Sequence, residues 1–168
     1  TSSPRPSLSQ KQGLEAFFKG LPTLEPHHIE ITALLEAGDY DTSHKNELGY
    51  DALFLAAGEG DAGLVKLLLA AGANPDTADP EGETCLIRCV TEGHEDVARL
   101  LLDTGANTNR ADDDGITALF CCCRAVVLEE HHEQLAKLLL KHKADPNLPT
   151  HNGVTCLLAA CRNRHSRP

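Results

Sequence analysis

Residues 82–112 read GETCLIRCVTEGHEDVARLLLDTGANTNRAD, and their landmarks return at a fixed distance along the chain. The stretch reads as a turn, a short helix, a second turn, a longer helix and an outgoing loop. A shift of thirty-three places puts Gly82 on Gly49 behind it and on Gly115 ahead. The same shift puts Leu100, Leu101 and Leu102 on Leu67, Leu68 and Leu69, and Gly105-Ala106-Asn107 on Gly72-Ala73-Asn74. A period of this length marks supersecondary units stacked in a row rather than one globular core.

Working outward, one unit begins at Gly49 and another at Gly115. The Gly115 unit is five residues longer, because Gly115 to Leu138 exceeds Gly82 to Leu100 by that count. The extra residues fall around Val126–His132 and are expected to lengthen the first helix or the turn between helices. They are also a second candidate contact, since residues outside the repeat escape the stacking constraint. A fourth unit starts at Gly153, GVTCLLAACRNRH, and the chain stops after its first helix, which favours a longer parent chain. Upstream, Leu14, Phe17, Phe18 and Leu21 give one apolar helical face, and Ile29, Ile31, Leu34 and Leu35 a second that stops near Gly38. This pair is expected to be a divergent N-terminal cap with one solvent-facing side. The expected divisions are a disordered lead-in at 1–10, the cap at 11–43, units at 44–79, 80–112 and 113–148, and a partial unit with tail at 149–168.

Leu67, Leu68, Leu100, Leu101, Leu138 and Leu139 are too many apolar side chains for single helix pairs to hide. Each unit must cover its face with the next. At about 25 cal/mol per Å², burying one Leu stabilises by roughly 1.5–3 kcal/mol, and several recur at each interface. Small residues at Ala56, Ala57, Cys89, Cys122 and Ala160 let the first helices approach closely. The expected fold is all-α, an α-solenoid of stacked helix-turn-helix units.

These residues resemble the ankyrin repeat, whose pattern runs Gly-x-Thr-Pro-Leu-His, Ala-Ala, Gly-His, Leu-Leu-Leu and Gly-Ala-Asp/Asn. Gly82, Thr84, Leu86, Gly93, His94, Leu100, Leu101, Leu102, Gly105, Ala106 and Asn107 sit on it. The resemblance covers Gly49 to His165, and Glu25 to Asp41 more weakly. Departures are informative. Ala52, Cys85, Ala118 and Cys156 replace the pattern's Pro, which loses a pre-set φ at each first helix. Phe54, Ile87, Phe120 and Leu158 replace its His, so apolar packing must take over from polar links between repeats. Lys143 stands where Gly38, Gly72 and Gly105 end their helices, and a positive φ there costs a residue with a Cβ. His94 is expected to cap or orient the second helix of its unit.

At 168 residues the chain can form one domain of ordinary size, and it carries four Phe, two Tyr and no Trp. No apolar run approaches the roughly 20 residues that span a bilayer, so membrane insertion is not expected. No basic region followed by an apolar stretch opens the chain, and the missing initial Met suggests an excised or processed segment. A formal charge of −10 argues against nucleic acid, whose phosphates need clustered Lys and Arg. It favours a basic protein or peptide. Seven Cys, an odd number without a secreted framework's spacing, read as reduced thiols in an intracellular protein of the cytoplasm or nucleus.

Cys121-Cys122-Cys123 with His131-His132 invites a zinc reading, but consecutive helical residues point about 100° apart and their thiols cannot converge on one tetrahedral ion. No metal or cofactor is expected. Cys122 and Cys123 fall on small inward positions, as do Cys89 and Cys161 in other units, while Cys121 falls on an outward one as a candidate reactive thiol. Cys161 and His165 share a helical face, but two ligands do not make a site. Gly58-Glu59-Gly60 reads as turn chemistry. Nothing resembles a nucleophile–base set or a phosphate-cradling loop, so no enzyme is expected.

What remains is surface. The resemblance implies a partner across the loop tips and the exposed side of the first helices, which form a concave groove. Position by position, it puts Glu47, Leu48 and Tyr50, then Pro80, Glu81 and Glu83, then Asp113, Asp114 and Ile116, then His151, Asn152 and Val154 on the tips. The helices add Leu55 and Glu59, then Arg88, Thr91 and Glu92, then Cys121 and Arg124. Acidic Glu47, Glu81, Glu83, Asp112, Asp113 and Asp114 flank apolar Leu48, Tyr50 and Ile116, which suits a ligand with Lys or Arg beside an apolar anchor. The expected function is a protein-interaction module with an acidic groove. The alternatives are a regulatory or targeting segment of a larger enzyme, channel or ubiquitin-ligase adaptor, and a scaffold that oligomerises through Gly153–His165.

Overall fold

The computed structural model of the chain describes residues 41–124 and 130–164. The expected lead-in and N-terminal cap, with Gly38, and the Val126–Val127 and His165 positions lie outside them. Among the described residues, seven helices follow in order: α1 (Ala52–Glu59), α2 (Ala62–Ala70), α3 (Cys85–Glu92), α4 (Glu95–Asp103), α5 (Ala118–Arg124), α6 (Glu130–Lys141) and α7 (Cys156–Arg164). The short helices α1, α3, α5 and α7 pack on one another as an inner row, and α2, α4 and α6 form an outer row behind them. Among the described residues, β-structure is confined to two isolated bridges, Ala78 with Thr84 and Ala111 with Thr117. The fold is an all-α solenoid.

The inner helices begin at Ala52, Cys85, Ala118 and Cys156, the four positions where the repeat pattern has Pro. A polar residue just upstream does the starting instead. The Asp51 carboxylate accepts from the Phe54 amide at 2.9 Å, Thr84 Oγ1 from Ile87 at 3.2 Å, Thr117 Oγ1 from Phe120 at 3.3 Å and Thr155 Oγ1 from Leu158 at 3.5 Å. Each satisfies a backbone donor that the first helical turn leaves open. Asp51 also accepts a hydrogen bond from the Thr77 hydroxyl, which ties the loop after α2 to the start of α1.

Of each Leu triplet, one member is fully enclosed: Leu68, Leu101 and Leu139 are all 0% exposed. Leu67 and Leu100 are half-buried. Phe54, Ile87 and Phe120, which replace the pattern's His, are buried in the same continuous core. Leu158, the fourth, is 49% exposed, because α7 has an inner neighbour on one side alone among the described residues.

Polar links between neighbouring units survive elsewhere. The Asn107 amide donates to Asp76 Oδ1 at 2.7 Å, and the Asp145 amide to Asn109 Oδ1 at 2.7 Å. His94 does not cap α4: its side chain makes no cap bond, and its Nε2 lies 3.1 Å from the Gly58 carbonyl oxygen in α1. The ring reaches backwards to the preceding unit instead. Gly58 and Glu59 are likewise not turn residues but the last turn of α1, and Gly60 is the left-handed cap that ends it.

The lengthened unit extends its second helix. Aligned on the Leu triplets, α6 starts three residues earlier than α4 does, with Glu130, His131 and His132 forming the added turn. At the far end of α6, Lys143 has φ 66°, the positive value that Gly72 and Gly105 take elsewhere. The carbonyls of His142 and Lys143 accept from Thr108 Oγ1 and Asn109 Nδ2, each at 3.4 Å, so the preceding loop holds this bend in place. Lys143→Gly is therefore expected to stabilise the protein by about 0.5–1 kcal/mol, the left-handed cost of a Cβ less the added freedom of Gly when unfolded. Chemical denaturation of the two chains checks this.

Candidate functional site

Each tip is a tight turn built around one polar side chain. Asn46 Oδ1 accepts from the amides of Leu48 and Tyr50 at 3.0 and 2.9 Å. Asp79 Oδ1 accepts from Glu81 and Glu83 at 2.9 Å each, and Asp112 Oδ1 from Asp114 and Ile116 at 2.9 and 2.8 Å. In the last tip Thr150 Oγ1 accepts from Val154 at 3.2 Å. Such side-chain turns replace missing backbone partners and fix the loop. Asp112 is thus corrected from a groove carboxylate to a turn residue, with its oxygen engaged by its own loop.

Successive tips are also joined backbone to backbone. The Asp113 amide donates to the Glu81 carbonyl at 3.0 Å, and the His151 amide to the Asp114 carbonyl at 3.0 Å. Pro80, one unit before Asp113, has no amide hydrogen to give. Its ring instead packs against Gly49, where a Cβ would come within 2.6 Å of Pro80 Cγ. Glu47, Leu48, Pro80, Glu81, Asp113, Asp114, His151 and Asn152 are all exposed along this row.

Behind the tips, two notches open along the inner row. The smaller, about 160 Å³, is lined by Tyr50, Phe54, Leu55, Gly58, Glu59, Asp79, Glu83 and Arg88. Tyr50 stacks on Phe54 with ring centroids 5.1 Å apart. The larger, about 850 Å³, is lined by Asp114, Ile116, Phe120, Arg124, Thr150, Asn152, Val154, Ala159, Cys161 and Arg162. The expected residues Tyr50, Leu55, Glu59, Glu83 and Arg88 come together in the first, and Asp114, Ile116, Arg124, Asn152 and Val154 in the second. Phe54, Phe120 and Arg162 were missing from that reading. The two Phe were assigned wholly to the core, yet each shows an edge to a notch.

Charge in the middle of the row is partly neutralised within the protein. Arg88 lies 3.8 Å from Glu83 and 3.4 Å from Glu92, and its guanidinium passes close over Gly58, where a Cβ would meet Nε at 3.1 Å. Burial pushes the Glu83 carboxyl above its ordinary value, against the pull of Arg88. Thr91 and Glu92 are exposed beside them, and the Thr91 hydroxyl donates to the Ile87 carbonyl at 3.0 Å.

Cys121 overturns its expectation. It occupies the position of Arg88 one unit on, but a thiol is too short to emerge there, and it is 9% exposed. Burial pushes it up, against the hydrogen bond with the Thr91 side chain and the nearby Arg124 charge, so it is not the reactive thiol of the row. Cys123, expected as an inward filler, is half-buried, and the Cys156 side chain pulls its thiol below the ordinary value. Among the described residues, no three His, Cys, Asp or Glu side chains gather as a metal site. No helix among them is long and apolar enough to cross a membrane.

Paired short helices, stacked in two rows with linked turns along one edge, define an α-helical repeat protein. The family model for ankyrin repeats in three copies matches residues 25–112, and that for ankyrin repeats in many copies matches residues 122–167. The chain belongs to the ankyrin-repeat family. Repeats of this family generally mediate protein–protein interactions and are typically non-catalytic. No curated protein matches the chain.

Proposed function

We propose that the chain is a non-enzymatic interaction module that holds a peptide or partner domain along its tips and inner helices. The ligand carries Lys or Arg beside an apolar anchor. The observation that carries this reading is the pairing of exposed carboxylates at Glu81, Asp113 and Asp114 with apolar notch walls at Tyr50, Phe54, Ile116 and Phe120. Cations approaching the tips are steered by a protein of formal charge −10, and an apolar side chain can then enter a notch. Such a surface disfavours a phosphate backbone for the same reason.

Reversing Glu81, Glu83, Asp113 and Asp114 to Lys is expected to slow association by about tenfold or more at low salt, with a smaller effect as ionic strength rises. The probe is a displayed library of peptides with one fixed Leu flanked by Lys or Arg. Unchanged affinity of the selected peptides for the fourfold variant would rule the surface out.

One observation favours a second reading, as a scaffold that self-associates. Leu157 and Leu158 on α7 are 73% and 49% exposed, side by side at the end of the row. A molecular mass that rises with concentration, and falls back in a Leu157→Glu variant, would favour this reading over a monomeric binder.

A further inference from the structure

The two notches differ in charge as well as in size. Among the described residues, Glu59, Asp79 and Glu83 line the smaller one together with Arg88, an excess of two negative charges. Asp114 lines the larger one together with Arg124 and Arg162, an excess of one positive charge. In a protein of formal charge −10 this reversal is local, and the repeat accounts for it. The seventh residue of each inner helix is Gly58 in α1, Thr91 in α3, Arg124 in α5 and Arg162 in α7. The two cations thus hold one register position on neighbouring helices, and α5 packs directly on α7. Both are exposed and both line the same cavity. Packed helices lie about 8–10 Å apart, so two guanidiniums in register can converge on one small anion.

We propose that Arg124 and Arg162 hold an Asp or Glu side chain of the partner peptide, which makes the ligand bipolar. Its Lys or Arg lies at the tips, its apolar residue enters the larger notch, and its acid reaches the far ends of α5 and α7. This rests on the reading of the tips and inner helices as the binding surface. The order follows from the chain. Asp114 stands in the tip, Phe120 is the third residue of α5, and Arg124 is its last. Phe120 and Arg124 are four apart and share a helical face. At about 1.5 Å per helical residue, Arg124 lies roughly 9 Å beyond the start of α5, which an extended peptide covers in about three residues. A carboxylate suits the place better than a phosphate. Its single charge matches the excess of one in the notch, and the exposed tip carboxylates Asp113 and Asp114 would repel a dianion more strongly.

The probe is a displayed peptide library with a fixed Leu, Lys or Arg on one side of it and randomised positions on the other, in both orders. Selection against the whole chain is expected to enrich Asp or Glu about two to four places from the Leu. Exchanging that acid for its amide in a synthetic peptide should weaken binding about tenfold. Arg124→Glu combined with Arg162→Glu should weaken the acidic peptide at least as much, and should favour a peptide with Lys in the acid's place. That inversion separates ligand recognition from the dipole-complementing role of a cation in the last turn of α5, which would leave the preferred peptide unchanged. The amide exchange needs no variant of the protein, so it decides by itself if the double variant folds poorly. Binding that the fourfold Lys variant weakens, but with no selection for an acid, would overturn this inference and leave the groove standing. Peptides indifferent to the fourfold variant would remove the groove reading, and this inference with it. A preference for phosphoserine over Asp at the acidic place would overturn it too.

Discussion

Leu101→Ala is expected to cost about 3 kcal/mol, with the melting temperature falling on the order of 10 °C. Leu101 is 0% exposed in α4, and α4 packs against α2 on one side and α6 on the other. Truncation there removes transfer free energy and also leaves a cavity that neighbouring repeats, themselves stacked, cannot easily collapse into. Against a total stability of about 5–15 kcal/mol this is a large fraction. Its position matters as much as its size. A repeat array is stabilised by interfaces between nearest neighbours, so damage in a middle unit weakens its coupling to both sides. Leu157→Ala provides the contrast: the same change at a residue 73% exposed on α7 should stay within about 0.5 kcal/mol. Denaturant titration of both variants, followed by circular dichroism, checks the pair. Equal midpoints would contradict the assignment of Leu101 to the shared core.

The period made the helices legible because stacking imposes one apolar pattern on every unit. Gly82, the Leu triplets and the Gly105-Ala106-Asn107 turn all answer to that single constraint. The positive φ at Lys143 was legible for the same reason, since its partners in the register are glycines. The tip turns carried a readable signal as well, although an unfamiliar one. Asn46, Asp79, Asp112 and Thr150 each stand three residues before the tip glycine, and only their hydrogen bonds separate a turn-forming carboxylate from a free one. Register alone could not forecast Cys121. Position predicts the direction of a side chain, but exposure depends on its length and on what the next helix lays over it. The same limit hid Arg88 against Glu83. The partner Glu92 is four residues along one helix and could be read off, whereas Glu83 reaches the guanidinium from the loop. Contacts between units were the hardest to read, because they join residues about thirty or more apart through side-chain shapes that the repeat leaves variable.

Gly60→Ala is expected to destabilise by about 2–4 kcal/mol, for two separable reasons. Gly60 has φ 76°, and a Cβ there would also sit 2.5 Å from Nδ1 of His94. Gly72 isolates the first reason, since its φ is 92° and a Cβ would meet nothing within 4 Å. Gly72→Ala should therefore cost about 1 kcal/mol from backbone conformation alone. His94→Ala isolates the second. By itself it should cost about 1 kcal/mol, through loss of the hydrogen bond to the Gly58 carbonyl. In that background the penalty of Gly60→Ala should shrink to that of Gly72→Ala, and the difference between the two is the coupling of ring and turn. An unchanged penalty would mean that the ring yields freely and is not what requires glycine at this cap. The outcome bears on the binding surface, because the last turn of α1 serves two contacts at once. The Gly58 carbonyl receives His94 from the outer row, while the missing Cβ of Gly58 leaves room for Arg88 to lie across Glu83 and Glu92. Displacing His94 disturbs the same turn against which Arg88 rests, so a cap substitution remote from the tips should also alter the charge that the smaller notch presents.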